Sequence, residues 1–190
     1  ATAFGLVIIV RAGAGSARRR GTHGQKALQR TFRVAWLSQF ELQCTDGGQP
    51  VQCAPQSFEP EQDQLFLNLG DGRFRDMTDE CGIVAPGGKG LGIVAADFDG
   101  TRRLSLFVSN DTTANFFFVN RTDPASRVLQ FEESALFSGL ACDAEGRTQS
   151  CMGIAAGDGN GDALLDLLVT NFHRESVAFY VQQPDHAFLD

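Results

Sequence analysis

The chain has 190 residues, with 43% hydrophobic and 21% charged side chains, which describes globular material rather than a disordered tail. No run approaches the roughly 18 apolar residues of a membrane span. Residues 1–33 carry seven basic side chains and no acid, while the rest carries nine basic and 23 acidic, a net of −14. So acidic a body repels phosphate backbones, which argues against nucleic acid as a partner, and it suits divalent cations.

The leader, residues 1–31, is read as an unassigned basic and disordered arm, since no aromatic residue interleaves with Arg18–Arg20. Its apolar stretch Ala3–Val10 is too short for a membrane helix and lacks the positive flank of a secretory signal, so it reads as a clipped beginning. The five cysteines stand at 44, 53, 81, 142 and 151 without a CxxC. Cys44/Cys53 and Cys142/Cys151 each have a spacing suited to a loop closed by a disulfide, which would fit an oxidising compartment. Five reduced thiols are the alternative.

Strands follow one another from Leu65 onward. Leu65–Leu67, Leu104–Val108, Phe116–Val119, Leu165–Val169 and Phe179–Val181 are short apolar runs, and Gly70-Asp71-Gly72 supplies a hairpin turn before Phe74. Hardly any helix pattern occurs. Gly92–Asn110 aligns with Gly153–Asn171 without a gap at an offset of 61, and nine of nineteen positions are identical. Leu65–Asp76 is echoed 114 residues later by Phe179–Asp190, and a looser copy is Phe116–Asn120 followed by Phe131–Glu133. Units of about four strands at this period mark propeller blades, with aromatics at matching places packing blade against blade. About three units cannot close a propeller, so the chain reads as a segment of a longer protein. The alternative is a small two-sheet β domain.

The second copy contains GDGNGDALLD, with Asp158, Asn160, Asp162 and Asp166 at positions 1, 3, 5 and 9 of a loop and the Leu164 carbonyl at position 7. Crowded like charges repel, and an all-oxygen set favours a hard cation, Ca²⁺ over Mg²⁺. Position 12 is Val169, inside a strand, so this is no EF-hand. A solvated acidic turn is the plain alternative. The first copy keeps Asp97 and Asp99 but has Thr101 and Ser105 at positions 5 and 9, with Arg102 and Arg103 within the loop. The two guanidiniums are expected to neutralise the two carboxylates and leave a weak or vestigial site.

The segments ADFDG with LSLFVSNDTTANFFFVN, and GDGNGD with LLDLLVTNF, resemble the FG-GAP/VCBS repeats of integrin-like propellers. LFLNLGDGRFRDMTDECGI, GRTQSCMGIAAGDGNGD and the Cys44–Cys53 segment running into FEPEQDQLFLN resemble the cartilage acidic protein group associated with the ASPIC/UnbV domain. The similarity covers residues 32–190, in repeats of roughly 32–76, 92–133 and 153–190; residues 1–31 do not match. It implies an all-β fold, a partial β-propeller of about three blades belonging to a larger, expected seven-bladed one. It also implies Ca²⁺ loops between blade strands, at Asp158, Asn160, Asp162, Leu164 and Asp166 with Asp97 and Asp99 as remnants, and an extracellular or cell-envelope (periplasmic) setting.

Enzyme signals are weak. His23, His173 and His186 are scattered, Gly87–Gly90 lacks the upstream glycine and hydroxyl of a phosphate loop, and Glu132–Glu133 point opposite ways along a strand. Asn110-Asp-Thr112 and Asn120-Arg-Thr122 are glycosylation sequons, meaningful in a secretory eukaryote. The expected function is a non-catalytic, calcium-binding scaffold for an unknown protein or carbohydrate partner, with no nucleic acid and no membrane span. The alternative is an accessory segment of a larger secreted enzyme, such as a polysaccharide-processing protein.

Overall fold

A computed structural model describes residues 6–9, 43–69, 72–126 and 128–190, and nearly all regular structure in it is antiparallel β. The first strand, β1 (Leu6–Ile9), lies within the basic leader and pairs with β4 (Gln64–Asn68), which in turn pairs with β5 (Phe74–Asp76). Between them, β2 (Cys44–Asp46) and β3 (Gln49–Val51) form a separate hairpin, turned through Gly47 and Gly48, both at positive φ. A disulfide joins Cys44 to Cys53 across this hairpin. Gly70 and Asp71 of the turn expected before Phe74 lie outside the described residues.

Two four-stranded meanders complete the structure. One runs β6 (Gly90–Ala96), β7 (Ser105–Asn110), β8 (Phe116–Asn120), β9 (Phe131–Glu133); the other runs β10 (Cys151–Gly157), β11 (Asp166–Asn171), β12 (Ala178–Gln182), β13 (Phe188–Leu189). The registers correspond: Leu106 faces Phe118 as Leu167 faces Tyr180, and each inner strand slips one residue at its start, between Gly90 and Gly92 and between Cys151 and Gly153. An isolated bridge, Asp111 to Ser150, ties the two sheets together at that end. A four-residue helix, α1 (Ala135–Ser138), links the meanders and stops at Gly139 in the left-handed conformation.

Side-chain alternation explains how the sheets stack. All six residues of β7 are buried, because both of its faces are covered. Leu106, Val108 and Phe118 point into a cluster with Leu65, Met77, Ile83 and Phe131. Phe107 and Phe117 point the other way, into a cluster with Leu167, Val169, Tyr180 and Phe188. Edge-to-face ring pairs bind the second cluster, with Phe98 and Phe117 at 5.4 Å and Phe117 and Phe188 at 6.0 Å between centroids.

The expected Cys142–Cys151 disulfide does not form; both cysteines are free. Cys151 opens β10 fully buried and directs its thiol to Asn115 Oδ1 at 3.3 Å, and burial pushes its pKa up to about 11. The loop between them is closed by a carboxylate instead. Asp143 accepts the Arg147 backbone N–H at 2.8 Å, the Arg147 guanidinium at 3.0 Å and the Glu145 N–H at 3.1 Å.

Candidate functional site

The loop 158–166 leaves β10 at Gly157 and enters β11 at Asp166. Gly161 and Ala163 both take positive φ, +85° and +69°, which lets a short connection reverse direction. Asp158 organises the turn: Oδ1 accepts the N–H groups of Gly161 at 2.7 Å and Asp162 at 3.1 Å, and Oδ2 accepts that of Ala163 at 2.9 Å. The Ala163 N–H leads in holding this carboxyl below its ordinary pKa, against the opposing cost of desolvation. Asn160 Oδ1 accepts the Asp162 N–H at 2.9 Å, and Asp162 Oδ1 accepts the Leu164 N–H at 2.8 Å.

Asp166 differs from the others. It is 1% exposed, and its two oxygens accept backbone N–H groups from opposite directions, Gly159 on the loop and Gln182 on β12, both at 2.9 Å. The structure thus gathers Asp158, Asn160 and Asp162 on an exposed turn and sets Asp166 beneath them as an anchor to the sheet.

The equivalent loop, 97–105, keeps the frame with fewer carboxylates. Asp97 Oδ2 accepts the Arg102 N–H at 2.8 Å, matching Asp158 and Ala163, and Arg102 takes the same left-handed conformation as Ala163, φ +63°. Ser105 replaces Asp166, and its hydroxyl oxygen accepts the Asn120 N–H at 3.0 Å, as Asp166 accepts that of Gln182. The expected ion pairs do not form: among the described residues neither Arg102 nor Arg103 bridges to Asp97 or Asp99, and Arg103 reaches the Thr122 carbonyl at 3.4 Å. The loop is drawn tight by backbone donors, with Arg102 exposed and Arg103 half-buried beside it. Burial opposes ionisation of Asp99, yet the Thr101 hydroxyl and N–H, with the Arg103 charge, hold its carboxyl below the ordinary range.

Two residues that sequence reasoning passed over join these loops. Phe98, between Asp97 and Asp99, packs on Phe117 and Phe188. Its carbonyl accepts the Gln182 side-chain N–H at 2.6 Å, while Gln182 Oε1 accepts the Leu165 N–H at 3.0 Å. Gln182 is buried and ties one loop to the other across the sheet interface. Its signal was a polar residue in an apolar strand, at the place that Asn68 holds in the echo at 114.

The remaining candidates take structural places. His173 and His186 are exposed on turns, and His23 lies outside the described residues. Glu132 pairs with Arg121, whereas Glu133 accepts the N–H groups of Phe117 and Ala135. The sequon asparagines are buried, Asn110 at 0% and Asn120 at 7% exposure, and their side-chain N–H groups bond the carbonyls of Ala114 and Leu104. The folded chain therefore offers neither for glycosylation.

The donor chemistry of loop 158–166 fits calcium, being all oxygen and held ionised at Asp158. As they stand, these oxygens turn to the loop's own N–H groups, and among the described residues no three His, Cys, Asp or Glu side chains are grouped around a point. No helix among them is long and apolar enough to cross a membrane. No family model matches the chain, and no curated protein matches it either.

Proposed function

We propose that the chain is part of a β-propeller and serves as a non-catalytic binding scaffold, extracellular or in the cell envelope, whose loop 158–166 takes calcium. The observation that carries the reading is the pair of four-stranded meanders stacked face to face in the same register, each with a carboxylate-framed loop between its first and second strands. In this reading each meander is a blade of the FG-GAP/VCBS kind, and β4–β5 belong to the blade before them. Asp158, Asn160, Asp162 and Asp166 would hold the ion with the Leu164 carbonyl, and Asp97 and Asp99 would hold it weakly. The ion supplies positive charge that lets neighbouring carboxylates coexist at the end of β11. The Cys44–Cys53 disulfide accords with an oxidising compartment. Partner contacts, with protein or glycan, fall to the loops at the rim.

Thermal unfolding in EDTA and in millimolar Ca²⁺ tests this. A ligand bound only by the folded state raises Tm by mass action, so calcium should raise it and Asp162→Ala should abolish the rise. Identical melting curves with and without calcium would sink the metal assignment.

A further inference from the structure

Between the two four-stranded meanders, on the side of the 97–105 loop, lies a groove of about 420 Å³. That is the size of a site for a side chain or small molecule. Phe98, Phe117 and Val119 form its floor, and Asp99, Asp185 and Phe137 stand on its rim. Phe137 is 89% exposed, an unusual position for a phenylalanine beside a cavity. It is not loosely held. The Ala135 N–H is bonded to Glu133 Oε1 at 2.8 Å, the Ser138 N–H to the Ser134 carbonyl at 2.9 Å, and Gly139 closes the helix against the Phe188 backbone. The ring is therefore presented outward by a fixed turn.

We propose that this groove binds an extended basic segment of a partner protein, seating one lysine or arginine stem over Phe98 and Phe137 with its charge toward Asp99 and Asp185. Long basic side chains suit such a site, since their methylene stems cover apolar surface while the cation faces a ring or a carboxylate. Among the described residues that line the groove, Arg121 is compensated by Glu132 at 2.8 Å, and the other ionisable groups are His186 and the carboxylates of Asp99 and Asp185, which set its sign. Beyond residue 33 the chain carries a net −14, which attracts a basic partner over longer range. The inference rests on the reading of the molecule as a binding scaffold but not on calcium.

The test is two-dimensional NMR of the labelled chain titrated with N-acetyl-arginine amide, with N-acetyl-norleucine amide and maltotriose as controls. Each is run in EDTA and again in calcium. Saturable shifts confined to Phe137, Ser138, Asp185 and Ala187 are expected with the arginine probe alone. Phe137→Ala and Asp185→Asn should each weaken them about tenfold while leaving Tm unchanged, both residues being exposed. Shifts spread over the acidic surface, or unmoved by either substitution, would overturn the proposal. So would a groove response to maltotriose without one to arginine. Localised binding in EDTA supports the groove whatever becomes of the calcium assignment, and binding seen only in calcium would overturn the groove as a site that its own carboxylates define. No localised response in either buffer overturns the groove and leaves calcium-dependent melting to be judged by itself.

Discussion

Ala163 occupies a conformation in which its methyl group crowds the backbone. At φ +69° it sits where glycine costs nothing, and the left-handed region costs an L-residue about 1–2 kcal/mol. Ala163→Gly should therefore stabilise the chain by up to about 1 kcal/mol in urea unfolding, despite the added freedom of the unfolded glycine. A destabilisation would show that the methyl group has a packing role. Asp158 carries the pH dependence of the same loop. Its folded pKa is depressed, so its contribution is complete above the unfolded carboxyl value of about 4 and is lost as pH falls through the lower folded value. The stability gap between the wild type and Asp158→Asn should accordingly be widest at neutral pH and close in acid, read from urea midpoints across a pH series without calcium.

At the level of elements, the turn that follows each outer strand brings its sheet against the next. After β5, the Asp76 carboxylate accepts the Thr78 N–H, and the turn ends at Gly82, φ +84°; after β9, Glu133 accepts the Ala135 N–H, and the turn ends at Gly139, φ +78°. Each glycine lies against a backbone carbonyl of the next sheet's outer strand, Gly82 against Phe131 and Gly139 against Phe188. A Cβ at either would strike backbone, which cannot rotate away. Gly139→Ala should thus cost about 2 kcal/mol or more, combining left-handed strain with overpacking, and should separate β13 from α1. Unchanged thermal stability in that variant would refute the close approach. These turns were only partly legible: DECGI and SGLA each hold a glycine just before an apolar residue, but their likeness lies in backbone position and not in shared neighbours.

Across the whole molecule, burial is set by how many neighbours a sheet has. Phe107 and Leu168 hold the same ladder position, opposite Phe117 and Phe179, yet Phe107 is 0% exposed and Leu168 is 39% exposed. The middle meander is covered on both faces, while among the described residues the last is covered on one. Phe107→Ala should therefore cost about 3–5 kcal/mol and Leu168→Ala less than about 1 kcal/mol by denaturant unfolding. Equal costs would mean that the outer face of β11 is covered too. The same context explains why Phe98 is an anchor. At its counterpart, Gly159, no side chain reaches onward, and the Phe179 ring stands in that space.

By itself the sequence determined the all-β class, the strands β4, β7, β8, β11 and β12, and the two loops, because a two-residue alternation and a dense set of turn residues are local properties. The readings at 104–108 and 165–169 meet β7 and β11 within a residue or two, and of the two cysteine pairs with the same spacing only Cys44–Cys53 is bonded. It could not tell that Cys142 and Cys151 stay apart, that Asn110 and Asn120 are buried, or that Leu6–Ile9 joins β4. Those outcomes depend on which surfaces meet across tens of residues. Tertiary structure also decided the tie of Gln182 to Phe98 and the groove beneath Phe137, since both lie between sheets. Position between two sheets is a property of neither strand alone, and no spacing along the chain encodes it.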